Sequence, residues 1–213
     1  MDRSQIAIII PAFNEGKTIG KVVSNIKDYG IAIVINDAST DQTALKALDA
    51  GAVLVDLENN EGYDGALNAG FSKAAELGCT YAITIDADDQ HDPSLIPVFI
   101  AALEEGNTLV IGVRDKKARI SEKLFAFMTN VLYGVRDPLC GMKGYRMSLY
   151  QERGYFDSYR SIGSEMMLYA VKKKYPYIQI NVPISQRIDK PRFGRSINSN
   201  IKILRSTILS LCK

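Results

Sequence analysis

Ile31-Ala32-Ile33-Val34-Ile35-Asn36-Asp37-Ala38-Ser39-Thr40-Asp41 runs an unbroken apolar stretch into an abrupt polar turn. A strand that is apolar on both faces is buried on both, as in a parallel sheet covered by helices. The pattern recurs on either side of it. Residues 5–10, 52–57, 81–85 and 108–113 read as further strands. Helical periodicity fills the gaps. Residues 17–27 carry Ile19, Val22, Val23 and Ile26 on one face. A helix capped by Ser39 or Asp41 runs up to Gly51. Residues 64–78 close on Gly78, and Pro93 opens a helix over 94–105. Strands alternating with helices of this length predict an α/β fold with a mostly parallel central sheet flanked by helices.

The second half is less regular. Residues 120–133 read as a helix with Ile120, Leu124, Phe127, Met128 and Val131 on a broad apolar face. Residues 136–145 read as a loop with one short strand, 163–174 as a helix and 178–186 as a strand. Residues 189–196 are polar and basic, hence a loop, and 197–213 form a last helix. No linker divides residues 1–213, so the expectation is a single domain.

Composition narrows the class. Hydrophobic residues make up 46% and charged residues 23%, a globular balance, and a net charge of +2 gives no support for nucleic acid as a partner. Cys79, Cys140 and Cys212 are odd in number and show no metal-ligand spacing, and His91 is the single histidine. That argues against a disulfide framework or a zinc site and for a reducing cytoplasm. No signal peptide is visible, and no run approaches the roughly 20 apolar residues that cross a bilayer. The expectation is a cytoplasmic chain, at most peripheral on the cytoplasmic face of a membrane.

The chemistry concentrates in Thr84-Ile85-Asp86-Ala87-Asp88-Asp89-Gln90-His91-Asp92-Pro93, where an apolar strand runs out into carboxylates. Ligands of open parallel sheets bind beyond the carboxyl ends of the strands. Residues i and i+2 of an extended chain share a side, so Asp86 and Asp88 can face one site. Two such carboxylates repel unless a cation lies between them, and oxygen ligands suit Mg²⁺ or Mn²⁺. Gln90 can add a neutral oxygen. Asp92, ahead of Pro93, reads as a helix cap. Ile8-Ile9-Ile10-Pro11-Ala12-Phe13-Asn14-Glu15 closes the first strand at Pro11, and Asp37 follows the second, both on the same rim.

These segments resemble family 2 glycosyltransferases of the GT-A fold, nearest to dolichyl- or polyprenyl-phosphate mannosyl- and glucosyltransferases. Asn60-Glu61-Gly62-Tyr63-Asp64-Gly65-Ala66-Leu67-Asn68-Ala69-Gly70, Val110-Ile111-Gly112-Val113-Arg114 and Asp137-Pro138-Leu139-Cys140-Gly141-Met142-Lys143-Gly144-Tyr145 are similar to further stretches of that family. Departures are Asn36 and Ala38 in a stretch that is usually Asp-Asp-Gly-Ser, Asp64 at a usual glycine, and Val113 at a usual serine. The resemblance implies a nucleotide-binding half over 1–115 and an acceptor half over 116–213. It implies that Pro11, Phe13, Glu15 and Asp37 line the base and ribose pocket. Asp86, Asp88 and Gln90 would hold Mg²⁺ or Mn²⁺ and the diphosphate. Arg114, with Arg192 or Arg195, would meet phosphate oxygens.

The implied reaction inverts the anomeric carbon of a nucleotide-diphosphate sugar, GDP-mannose or UDP-glucose. Besides Asp88, Glu165 is the candidate catalytic base or acceptor-positioning residue, or else a charge favoured by its helix N-terminus. The expected acceptor is polyprenyl phosphate at a membrane surface; the alternative is a saccharide hydroxyl. Lys116, Lys117, Arg119 and Lys123 flank the apolar 120–131 segment, and Ile197, Ile201, Leu204, Ile208 and Leu211 form a stripe near Lys202 and Arg205. Both helices either lie in a membrane interface or pack on the core. The rivals are a phosphatase with a nucleophilic aspartate, a nicotinamide dehydrogenase, and a membrane-associated binding module without activity. Asp89 after the motif, its place on the fourth strand, and the lack of GxGxxG after the first strand count against both enzymes.

Overall fold

The computed structural model describes residues 2–115, 119–185, 203–205 and 209. After a 3-10 turn at Arg3–Gln5 come β1 Ile6–Ala12, α1 Ile19–Ile26, β2 Ile31–Asn36, α2 Thr43–Asp49, β3 Val53–Asp56, α3 Gly62–Glu76 and β4 Tyr81–Thr84. A 3-10 turn at Pro93–Leu95 leads into α4 Ile96–Glu104, then β5 Leu109–Arg114 and α5 Ile120–Tyr133. Next come β6 Lys143–Arg146, α6 Met147–Arg153, α7 Glu165–Lys172 and β7 Tyr177–Val182. The sheet has seven strands in the order β3-β2-β1-β4-β6-β5-β7. Pairings are parallel except those of β6, which runs antiparallel to β4 and β5. The mostly parallel α/β sheet expected from the sequence is present. Chain order reverses at β1, which places a crevice above the carboxyl ends of β1 and β4.

The continuous apolar strands are explained by two cores. In β1, Ile6, Ile8 and Ile10 join α1 and α4 on one face, while Ala7 and Ile9 join α3 on the other. In β2, Ala32 and Val34 go to the first core, Ile33 and Ile35 to the second. Alternate Cβ atoms point to opposite faces, so a doubly covered strand needs apolar residues at every position. Helix α3 lies close on the sheet at Gly70, where a Cβ would stand 2.4 Å from Ile9 Cγ2. Beyond it Phe71 stacks on Phe156 at 4.7 Å and meets Tyr145 edge-on at 5.4 Å.

Two readings change, and the structure bears on two that were left open. Pro11 does not end β1, which continues through Ala12. The Ile9 carbonyl accepts from Ile85 on the β4 side and the Ala12 carbonyl from Asp37 on the β2 side. The N–H that Pro11 lacks would therefore face β4, which has already left the sheet, so no ladder bond is lost. Helix α6, absent from the sequence reading, follows β6 directly. Ser39 does not cap α2, because its hydroxyl accepts the Asn14 N–H, whereas Asp41 accepts the Thr43 N–H of the first turn. The apolar face of α5 is turned outward: Ile120 is 86% and Phe127 66% exposed, while Glu122, Phe125, Ala126 and Thr129 are buried.

In the last segment Ile203 is buried and Leu204 exposed. Lys116, Lys117, Arg192, Arg195, Lys202 and the stripe residues Ile197, Ile201, Ile208 and Leu211 lie outside the described residues, as does the 189–196 loop.

Candidate functional site

Each strand that meets the crevice leaves it through a residue in the left-handed region: Asn14 (φ 53°) after β1, Ala38 (φ 56°) after β2, and Asp89 (φ 61°) after β4. For residues other than glycine this conformation costs energy and persists only where surroundings enforce it. Cross-links between the loops supply the enforcement. The Asn14 and Glu15 N–H groups donate to Ser39 Oγ and Thr43 Oγ1, both at 2.8 Å. The Thr40 N–H donates to Asn14 Oδ1 at 2.7 Å, and the Gly16 N–H to Asp41 Oδ2 at 3.0 Å. Of the residues assigned to the nucleoside, Pro11 is half-buried, Phe13 is exposed, and Glu15 is buried and accepts from Thr18 Oγ1 at 3.3 Å.

Asp37 is buried and accepts the Glu61 N–H at 2.7 Å and the Gly62 N–H at 3.0 Å, so it caps α3 from the end of β2. Burial raises its carboxyl above the ordinary value, and these two bonds work in the opposite direction.

At the exit of β4, Asp86 is held from both sides. Tyr63 Oη donates to Oδ1 at 3.3 Å, and His91 Nε2 lies 3.1 Å from Oδ2. Its side chain remains 36% exposed. Burial opposes its charge. The His91 bond and the nearby charges of His91, Arg114 and Lys143 prevail and hold its carboxyl below the ordinary range. Asp88 is buried and accepts the Gln90 N–H at 3.2 Å. Gln90 donates through Nε2 to the Ser185 carbonyl at 2.9 Å, a bond that does not use its side-chain oxygen. His91 is buried, and its Nδ1 has no hydrogen-bond partner among the described residues. Asp92 accepts the Ser94 N–H at 2.9 Å, the expected cap.

Arg114 and Glu165 are already committed. Arg114 forms a two-pronged pair with Asp137 through Nε at 2.8 Å and Nη2 at 2.9 Å, and lies 3.3 Å from Glu122. Burial disfavours its charge, but Asp137 outweighs this and holds the guanidinium above its ordinary value. A planar fork that fits phosphate fits a carboxylate equally well, and Asp137 takes it here. Glu165 is buried, pairs with Arg153, and accepts the Ser158 N–H at 2.6 Å and its hydroxyl at 2.8 Å. Lys143, buried beneath the site, donates to the Cys140 carbonyl. Burial lowers its pKa and pushes the Cys140 thiol up to about 12.

Among the described residues no three or more His, Cys, Asp or Glu side chains form a cation cage. Sequence reasoning missed Tyr63, His91, Asp137 and Gly141 as partners of the site. All four stand in the quoted stretches at 60–70, 84–93 and 137–145, and that was the available signal.

The sequence model of glycosyl transferase family 2 matches residues 7–154. The UDP-N-acetylglucosamine–dolichyl-phosphate N-acetylglucosaminyltransferase of Methanococcus voltae is 30% identical over 175 residues, 67% of this chain and 70% of that protein. The dolichyl-phosphate hexose transferase of Haloferax volcanii is 25% identical over 195 residues, 85% of this chain and 83% of that protein. Glucosyl-3-phosphoglycerate synthase from Mycobacterium tuberculosis, solved with Mn²⁺, uridine diphosphate and glucosyl-3-phosphoglycerate, shares the fold. Its TM-score is 0.78 at 21% identity, over 97% of this chain and 78% of that one. The family match starts within β1 and runs to the end of α6, so it takes in each strand exit that forms the rim. The chain belongs to glycosyl transferase family 2.

Proposed function

We propose that this glycosyltransferase moves a hexose, with inversion, from a nucleotide-diphosphate sugar to polyprenyl phosphate at a membrane surface, with a divalent cation held at Asp86, Asp88 and Gln90. The observation that carries the reading is Asp86, partly exposed at the β4 exit, kept anionic and fixed on both oxygens. Mg²⁺ and Mn²⁺ take few protein carboxylates and fill the remaining positions with phosphate oxygens and water. A bound cation supplies neutralisation of the charge that develops on the leaving diphosphate.

Pro11, Phe13, Glu15 and Asp37 would line the nucleoside side. Asp37 would do so while capping α3, which keeps its carboxylate in one place. Arg114 would act through its charge near Asp86 rather than by gripping phosphate. Arg192 and Arg195 remain the candidates for direct phosphate contact.

The commitment of Glu165 favours a phosphate acceptor over a saccharide hydroxyl. A hydroxyl needs a base to take its proton, and Glu165 is wrapped in bonds to Arg153 and Ser158. An acceptor phosphate is already anionic and needs none. The outward face of α5, with Ile120, Leu124, Phe127, Val131 and Leu132 exposed beside Lys123, supports an interfacial helix. Among the described residues no helix is long and apolar enough to cross a membrane. The names of the Methanococcus and Haloferax relatives point to the same acceptor class.

The test incubates the full chain with radiolabelled GDP-mannose, UDP-glucose or UDP-N-acetylglucosamine and a short polyprenyl phosphate, with Mn²⁺ or with EDTA. Metal-dependent label in the lipid fraction is the expected result. No lipid-linked product from any of these sugars, or product undiminished by EDTA, overturns the reading.

A further inference from the structure

His91, the single histidine of the chain, is buried in the turn that leaves β4. Its main chain is tied on both sides. His91 forms an antiparallel bridge with Ile184, just beyond β7. Its neighbour Gln90 accepts the Ser185 N–H through its carbonyl at 3.1 Å and donates through Nε2 to the Ser185 carbonyl at 2.9 Å. After it, Asp92 caps a 3-10 turn that begins at Pro93, whose ring restricts the backbone. The imidazole thus projects from a backbone that is held before and behind it.

The ring has one polar partner among the described residues. Nε2 lies 3.1 Å from Asp86 Oδ2, and Nδ1 is buried with none. Asp86 is kept anionic and can only accept, so the shared hydrogen is carried by Nε2. A buried nitrogen without a partner costs free energy that an apolar ring of similar size would avoid. Packing alone therefore does not account for a histidine at this position, whereas the bond to Asp86 does.

That bond falls where orientation matters. Tyr63 Oη stands 3.3 Å from Oδ1, so His91 and Tyr63 take one oxygen each, and His91 is the closer of the two. Two contacts on different oxygens fix the plane of a carboxylate as well as its place. Each oxygen keeps lone-pair capacity that these bonds do not use. The Asp86 side chain is partly exposed and lines a cleft together with His91, Asp89 and Met142. A ligating side chain that is hydrogen-bonded by the protein is oriented before the metal arrives.

We propose that His91 is a positioning residue for the divalent cation: through Nε2 it sets the orientation in which Asp86 meets the metal. The proposal rests on the reading of Asp86 as a cation ligand.

The test titrates Mn²⁺ alone against the full chain and follows free Mn²⁺ by electron paramagnetic resonance. The variants are His91→Gln, His91→Asn, His91→Phe and Asp86→Ala. A glutamine amide nitrogen reaches about as far as Nε2, an asparagine nitrogen only about as far as Nδ1, and phenylalanine fills the space without a donor. His91→Asn and His91→Phe should weaken Mn²⁺ binding about tenfold, His91→Gln should stay within about threefold of the parent, and Asp86→Ala should lose binding. If His91→Phe fails to fold, His91→Gln against His91→Asn decides. Parent-like affinity in the Asn and Phe variants, with binding lost in Asp86→Ala, overturns the role of His91 and leaves the cation reading standing. A Gln variant as weak as the Asn variant also overturns it, because the shape of the ring would then matter rather than its donor. Undiminished Mn²⁺ binding by Asp86→Ala sinks the cation reading and this proposal together.

Discussion

A methyl group on Gly141 would stand 2.2 Å from Oδ2 of Asp86, well inside contact distance. Gly141 is thus the floor beneath the carboxylate that Tyr63 and His91 hold from the sides. Gly141→Ala should push Asp86 off its partners and weaken Mn²⁺ binding by about tenfold or more, a cost of about 1.4 kcal/mol. Titration of Mn²⁺ against the purified variant reads this directly. An unchanged Mn²⁺ affinity would show that Asp86 is not a ligand, or that the backbone at 141 gives way freely.

Asp88 gives a second handle on the same site. In a thermal-shift experiment with Mn²⁺ and UDP or GDP, the parent should be stabilised by about 2.7 kcal/mol at a ligand concentration of about 100 times Kd. Asp88→Ala should lose most of that response. A shift equal to the parent's would remove Asp88 from the metal assignment.

Asp64 predicts a pH dependence of stability with a definite sign. Its folded carboxyl is raised from 3.8 to about 6, so between these values the folded state binds more protons than the unfolded one. Stability contributed by this group is therefore present at low pH and lost as pH rises through about 4 to 6. Asp64→Asn removes the group's titration. Urea unfolding of both proteins at a series of pH values should show the variant gaining on the parent as pH rises through that window. A constant difference across the window would mean that Asp64 titrates normally.

Phe127, 66% exposed on α5, tests membrane contact. Phe127 is mostly exposed, so the fold should tolerate Phe127→Glu with a change of about 0.5 kcal/mol or less. Flotation with liposomes containing anionic lipid should fall sharply, while Mn²⁺–nucleotide binding stays as in the parent. Flotation equal to the parent's, or no flotation of the parent, would count against an interfacial α5.

The strands were legible in the sequence because double burial writes an apolar residue at every position, as at Ile33, Val34 and Ile35. Pro11 misled because the rule that proline ends a strand holds only where the missing N–H would have met a neighbour. Helix α6 was hidden because Arg146 passes straight into Met147 with no turn residue between, and its clearest signal, left-handed Gly154 (φ 82°), comes at the end. At the site, carboxylates announce themselves, but their partners come from distant segments. Nothing near Arg114 in sequence reveals that Asp137 would occupy it, and nothing near Glu165 reveals Arg153 as its ion pair. Local patterns show which side chains carry charge; the tertiary fold decides which of them are still available.

The proline in β1 has one more effect. Beyond Ile85, whose N–H donates to Ile9, the next rung of the ladder would need an N–H from Pro11, and there is none. β1 therefore offers β4 no donor at that rung, and main-chain pairing between the two strands ends at Ile85.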